Sequence, residues 1–370
     1  MGSVTADGAL PFPARGGRAL MSVAVASADI SLLAAARYHG DQAVAPGMLD
    51  FAVNVRGSEP PRWLQQRLAE RLPDLARYPS AADERRARAA AAQRHGRTPE
   101  EVLPLAGVAE GFTLLPNLRP RLAAIVAPSF TEPAVALTEI GIPVHHVVLE
   151  SPFGLGGVRV PDDADLVVVG NPTNPTAVLH TREQLLALRR PGRILVVDEA
   201  FADSIPGEPE SLAAESLPDV LVLRSLTKTW SLAGLRVGYV LGSPELLARL
   251  ASRRALWPVG TLQLTAIDAC CAADAVDEAA AAARRLAAVR AEMVAGLAAA
   301  GADVLDGRAP FVLFTIPAAE ALRNRLHDKG IAVRRCDTFV GLDGSYLRAA
   351  VRPEWPQLAR AICETTAEAM

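Results

Sequence analysis

Lys228 stands in the segment Ser225-Leu226-Thr227-Lys228-Thr229-Trp230, and Arg236 follows eight residues later. The apolar run Val220-Leu221-Val222-Leu223 leads straight into it. A lysine desolvated at a strand end can shed its proton and attack a carbonyl. Hydroxyls and a guanidinium fork beside it suit a phosphate. A carbonyl compound that also carries a phosphate would need this combination to be held and to form a Schiff base. Taken alone, Ser-Leu-Thr-Lys is an ordinary polar turn after a strand, so the remaining segments decide its meaning.

The same arrangement recurs. Pro128-Ser129-Phe130 follows an apolar run ending near Val126, Asn171-Pro172-Thr173-Asn174 follows one ending at Val169, and Asp198-Glu199-Ala200-Phe201 follows Val197. Each by itself reads as a helix cap or a turn. Four polar strand ends in order, one of them bearing a lysine, place polar groups where open α/β sheets bind ligands, at the carboxyl ends of their strands.

The elements that must position these residues are short, and most are β-branched and apolar on both faces. They are Ala123–Val126, Val144–Leu149, Leu166–Val169, Ile194–Val197, Val220–Leu223 and Val237–Leu241, as expected for central strands of a mostly parallel sheet. Stretches such as Arg182–Arg190 supply covering helices. After Leu256-Trp257-Pro258 the character changes: Ala272–Ala300 reads as a long helix able to link two domains. A strand at Ala309–Phe314, a helix over Ala318–Lys329 and strand-like runs near Val333 and Leu347 then describe a smaller α+β unit. The expected organisation is an N-terminal arm over 1–45, a large domain over 46–257 and a small domain over 258–370.

The chain has 370 residues, half of them hydrophobic, enough for a sizeable core. A net charge of −3 implies neither a nucleic-acid nor a membrane-surface partner. No apolar run is long enough to span a bilayer. Cys270, Cys271, Cys336 and Cys363 lack metal-ligand or redox spacing and read as core thiols of a cytoplasmic protein, with no metal expected. Arg15 and Arg18 ahead of Ala19–Ala28 faintly resemble a signal peptide, but the apolar part is short and broken by serines. A mobile arm, or a true start at Met21, is the expected reading.

From about Tyr38 to Arg352 the chain resembles the fold-type I enzymes that use pyridoxal 5'-phosphate (PLP), in particular the histidinol-phosphate aminotransferase family. The ordered asparagine, aspartate, lysine, arginine and distal arginine carry the resemblance. It implies that Lys228 is the Schiff-base lysine and proton carrier. Asp198 would face the pyridinium nitrogen and keep it protonated, so that the ring withdraws electrons. Asn174 would bond the ring oxygen, and Phe130 would stack on the ring or serve as a plain core aromatic. Ser225, Thr227, Arg236 and the Gly107-Val108-Ala109 turn would hold the cofactor phosphate, the last through backbone N–H groups at a helix start. Tyr78 resembles the tyrosine that reaches that phosphate from a second subunit, which implies a homodimer. Arg348 resembles the arginine that binds the substrate's anionic group. Asn54 falls in the matching N-terminal active-site segment.

The resemblance covers two activities. One exchanges an amino group between histidinol phosphate and 2-oxoglutarate. The other decarboxylates threonine phosphate in a side branch of cobalamin synthesis. Tyr38-His39-Gly40-Asp41, Phe201 in place of a hydrogen-bonding tyrosine, and the C-terminal run Arg334-Arg335-Cys336 through Ala349-Ala350-Val351-Arg352 resemble the decarboxylase. That is the expected activity, on a small phosphorylated amino compound, with aminotransfer as the alternative. His39, Arg335 and Arg352 would then help to hold phosphate and carboxylate; His39 reads equally as a turn histidine. Three departures stand out: Ala177 where the family has glycine, Val108-Ala109 in the phosphate turn, and Gly260 where an asparagine is common. The first two touch cofactor binding, and the third is expected on the substrate side. A non-catalytic regulator on the same fold is the reading from another class. The retained lysine, aspartate and arginine argue against it, as does the shortage of residues for an added DNA-binding domain.

Overall fold

The computed structural model describes residues 40–367. His39, Tyr38 and nearly all of the expected arm lie outside the described residues. Thirteen strands follow in chain order: β1 Leu49–Asp50, β2 Val102–Leu105, β3 Ala123–Ala127, β4 Val144–Val148, β5 Leu166–Gly170, β6 Ile194–Asp198, β7 Val220–Ser225, β8 Gly238–Leu241, β9 Asp303–Val304, β10 Phe311–Thr315, β11 Ile331–Ala332, β12 Arg334–Arg335 and β13 Tyr346–Ala350.

Seven of them form one sheet in the order β2-β8-β7-β6-β5-β3-β4. β3 to β7 run parallel, and β8 runs antiparallel to both of its neighbours. Side chains alternate between two cores. Val167, Val169, Val197 and Val222 point to one, and Leu166, Val168, Val196 and Leu223 to the other. That alternation is why these runs are apolar on both faces. β2 escapes sequence reading because Pro104 interrupts it; as an edge strand bonded only to β8, it tolerates the missing N–H.

The strand order reverses at β3. The chain goes outward from β3 to edge strand β4, then crosses back to β5 and continues through β6 to β7. Such a reversal leaves a crevice beyond the carboxyl ends of the strands that flank it.

β12-β13-β10-β9 form a second, antiparallel sheet, and β1 pairs in parallel with β11. Phe51 therefore packs with Met293, Phe314, Leu326 and Leu358 in a core of its own. The helix Thr261–Cys270 instead contributes Leu264 and Ile267 to the large-sheet core. The 27-residue helix Ala273–Ala299 joins the two: Ala275 and Ala279 belong to the first core, Met293 and Leu297 to the second. The packing boundary thus runs through this helix, and β1 crosses to the C-terminal side. Cys270, Cys271 and Cys336 are buried free thiols, whereas Cys363, expected in the core, is exposed.

Candidate active site

Four strand ends deliver their polar residues to one cavity of about 550 Å³. β3 brings Phe130, β5 Asn174, β6 Asp198, and β7 Ser225, Thr227 and Lys228; the second sheet adds Arg334 and Arg348. Asn54 closes one wall, and Val108 and Ala109 another.

Lys228 follows the end of β7 in a tight turn, tied by Leu232 N–H to Thr227 O at 3.0 Å and by Arg56 N–H to its own carbonyl at 3.0 Å. Burial pushes its pKa down to about 8. Arg236 and Arg348 add to the fall, and Asp198 and Asp41 oppose it. A neutral amine is therefore accessible near physiological pH. Asp198 moves the other way, up to about 6, chiefly because burial penalises its charge; Glu199 adds to this, while Ala200 N–H and Lys228 oppose it. Its side chain accepts from Ala200 N–H at 3.0 Å, and it makes no ion pair among the described residues.

Ser225 Oγ and Thr227 Oγ1 lie 2.7 Å apart. Arg236 faces the turn at Gly107, which caps the helix Val108–Leu114 with φ of +82°. The positive φ favours glycine here, and a Cβ on Gly107 would stand 2.9 Å from Arg236 Nη2 and push that guanidinium aside. Glu110 fixes this turn by accepting from Ala106 N–H at 2.6 Å and pairing with Arg254 at 2.7 Å.

Arg348 is the most telling group. It is 5% exposed, yet makes no ion pair among the described residues. It donates to Asn174 Oδ1 and, at 2.7 Å, to the Ala52 carbonyl, and its guanidinium lies 5.2 Å from the Phe311 ring. Nε has no partner. Burial holds its pKa down to about 10; Arg334 adds to this, while Cys336 and Asp50 oppose it. A buried arginine without a carboxylate is poised to take one from a ligand.

The family model for aminotransferase class I and II matches residues 46–362. The chain belongs to that family. It is 72% identical over 345 residues to a histidinol-phosphate aminotransferase of Mycobacterium tuberculosis, covering 93% of this chain and 95% of that one. It is 30% identical over 319 residues to the threonine-phosphate decarboxylase of Salmonella typhimurium, covering 82% and 87%. Its fold matches the histidinol-phosphate aminotransferase of Sinorhizobium meliloti in complex with pyridoxal-5'-phosphate, with a TM-score of 0.77 at 20% identity over 86% and 90% of the two chains. The decarboxylase expected from His39, Phe201 and the C-terminal arginines is thus the less similar of the two relatives.

The aminotransferase depends on PLP, and its cavity fits that cofactor on its own chemistry. It offers a depressed lysine, a buried carboxyl with no cation, paired hydroxyls facing an arginine, and apolar walls at Phe130 and Phe201. Phe130 packs at 5.9 Å from Phe112 and also borders the cavity. Phe201 packs edge-on at 5.1 Å from Phe311 and, having no hydroxyl, adds no hydrogen bond.

Arg335, Arg352, Tyr78 and Gly260 lie outside this cavity, among them Tyr78, which was expected to serve a second subunit. Arg335 pairs with Asp337 at 2.6 Å and does not line the cavity; its neighbour Arg334 does. Register is the cause. Arg334 lies opposite Arg348 on β13 and shares its face, whereas Arg335 lies opposite Leu347 and faces away. The same alternation, read against Arg348, is the signal that would have selected Arg334. Arg352 donates to the Val53 carbonyl at 3.0 Å and lies 3.6 Å from Asp50, in a neighbouring cleft. Tyr78 is 73% exposed, stacked 4.2 Å from Trp257, and outside its own protomer's cavity. Gly260, expected on the substrate side, instead caps the helix Thr261–Cys270 away from the cavity.

Ala177 adopts φ of +63°, which explains why glycine is usual there. The left-handed backbone costs about 1 kcal/mol. Its methyl offsets part of that by packing with Phe201, Ala309 and Phe311.

Because the attacking amine must be neutral, cofactor loading by the apoenzyme should accelerate as pH rises through about 8 and then level off. Asp198→Asn removes a charge that raises the lysine's pKa, so its midpoint should fall. Stopped-flow absorbance over pH 6–10 checks both; a flat profile would contradict the lysine's assignment.

Proposed function

We propose that this protein is a homodimeric aminotransferase that exchanges an amino group between histidinol phosphate and 2-oxoglutarate. The observation that carries this reading is the 72% identity, nearly end to end, to relatives bearing that name. Bound PLP supplies an electron sink; the protein supplies orientation and proton transfer. Lys228 moves the proton at the substrate's Cα. Asp198 holds a proton at the ring nitrogen, and Asn174 faces the ring oxygen. Ser225, Thr227, Arg236 and the Gly107–Ala109 turn anchor the phosphate. Arg348, with Arg334 and Asn54 beside it, binds the substrate's anion. Tyr78, exposed next to Leu72, Leu75, Leu256 and Trp257, would complete the site of a partner subunit. We divide the chain into a large and a small domain that meet at the cavity, and infer a cytoplasmic enzyme from its buried free thiols.

Decarboxylation of threonine phosphate is kept as a second reading because of Phe201 and the 30% identity to that enzyme. Purified protein decides between them. Glutamate formed from histidinol phosphate and 2-oxoglutarate should appear, and carbon dioxide from threonine phosphate should not. The reverse result reverses the assignment, and neither product defeats both.

Phe201→Tyr tests that placement. A hydroxyl donating to the ring oxygen stabilises its anionic form, so the pH midpoint of the holoenzyme's visible absorbance change should fall by about one unit, the worth of one hydrogen bond to a charged group. An unmoved midpoint would place residue 201 away from the ring.

A further inference from the structure

Lys228 also borders a second cleft, of about 750 Å³, which shares Asn54 and Val55 with the first. Its walls are the Asn54–Ser58 loop, one face of the long helix at Ala282, Arg285, Leu286 and Val289, and the segment Ala350–Glu354 after β13. Three arginines reach it: Arg56, Arg285 and Arg352.

Arg352 is already engaged by the Val53 carbonyl and Asp50. Asp50 is engaged in turn, accepting from Ala52 and Val53 N–H at 2.8 and 2.9 Å. Arg56 and Arg285 make no ion pair among the described residues. They are close enough that, after burial, Arg285 holds the Arg56 pKa down. The carboxylate acting against this is Glu278, which accepts from Trp63 Nε1 at 2.9 Å. Two like charges thus border one cleft whose own carboxylates, Asp50 and Glu354, make no ion pair with either among the described residues, an arrangement an anion would relieve. Asn54, common to both clefts, has a buried Oδ1 with no partner, leaving bonding capacity for a ligand.

We propose that this cleft is an oxyanion subsite in which Arg56 and Arg285 hold the anionic group of the substrate remote from the reacting amine. The proposal rests on the aminotransferase reading above. It adds two residues that the reading does not use. The remote group is the second carboxylate of the acceptor, because the donor's single anionic group is already taken by Arg348; its oxygens suit guanidinium forks. The subsite is also tied to the reaction centre. Arg56 N–H donates to the Lys228 carbonyl at 3.0 Å, and Ser231 Oγ donates to the Arg56 carbonyl.

The test has two arms, both on the holoenzyme. Calorimetric titration with inorganic phosphate at low ionic strength should give a Kd about tenfold weaker in Arg56→Gln and in Arg285→Gln, roughly one charge-assisted contact each. Arg284→Gln, on the same helix but outside the cleft, should leave it unchanged. Both substituted arginines are exposed, so neither change should impair folding. Steady-state kinetics then identify the occupant. The KM for the dicarboxylate should rise with kcat held, and a raised KM for the phosphorylated donor alone overturns the assignment. An unchanged phosphate Kd overturns the subsite. A weakened Kd with both KM values unmoved overturns its role in substrate binding. Because the phosphate arm needs no turnover, it stands even if the substrate named above proves wrong.

Discussion

Replacing Lys228 with alanine should lower aminotransfer by about a thousandfold or more and abolish the absorbance band that marks a lysine-bound cofactor. The size follows from the two tasks that meet in one amine, nucleophile and proton carrier; the second alone is worth about 10²–10⁴. The rest of the site should survive. Asp198, Arg348 and the Ser225–Thr227 pair are held by bonds that do not use the lysine side chain. PLP should therefore still bind, held by its phosphate, and a small added amine should restore part of the rate. Full activity in Lys228→Ala would remove the central assignment, and loss of all PLP binding would show that the lysine, rather than the phosphate cradle, dominates affinity.

The second large effect lies beneath the site. Arg224, 1% exposed, pairs with Glu199 at 2.8 Å, with Glu208 at 2.6 Å and with Asp203. Glu199 follows Asp198 and Arg224 precedes Ser225, so this buried pair fastens the ends of β6 and β7 that carry the cofactor-facing residues. Arg224→Met would leave the buried Glu199 without its cation and Asp203 with Arg94 alone, and removing one partner of such a pair costs about 3–5 kcal/mol. The apoenzyme's melting temperature should drop, with Arg224→Lys recovering part of the loss.

The effect should also depend on pH. Burial raises the Asp203 pKa, but Arg94 and Arg224 outweigh it and hold the group below its ordinary value. Its contribution is present above the unfolded carboxylate pKa, about 3.9, and is lost as pH falls through the lower folded value. In Arg224→Met, Glu199 loses its cation and Asp203 keeps Arg94 alone, so both titrate higher than in the parent. The variant's deficit should therefore shrink as pH falls from 8 toward 5, because protonation removes the buried charge. A deficit independent of pH would mean that Arg224 acts by packing alone.

Much of the fold was legible because its signals are local. β5, β6 and β7 are covered on both faces, which demands apolar residues at nearly every position, and such runs stand out from the helices between them. The helix over Ala319–Asp328 and the long alanine-rich helix were equally plain. β2 was not, because its proline is acceptable only at a sheet edge, and edge position is not a local property. Arg335 was chosen over Arg334 for a similar reason: the two differ in face, and face depends on which residue lies opposite on β13.

The sequence by itself determined the chemistry. A lysine, an aspartate and an asparagine at successive strand ends must gather at one edge of any parallel sheet built from those strands, whatever the details of packing. Only the tertiary structure decided which cations serve a ligand. Leu49 pairs with Ile331 and Arg334 with Arg348, contacts between segments whose partners no local pattern names. Those pairings bring Arg348 into the cavity without a carboxylate and turn Arg335 outward. The reason is that local propensity sets the elements, whereas burial and charge balance are set only once distant elements meet.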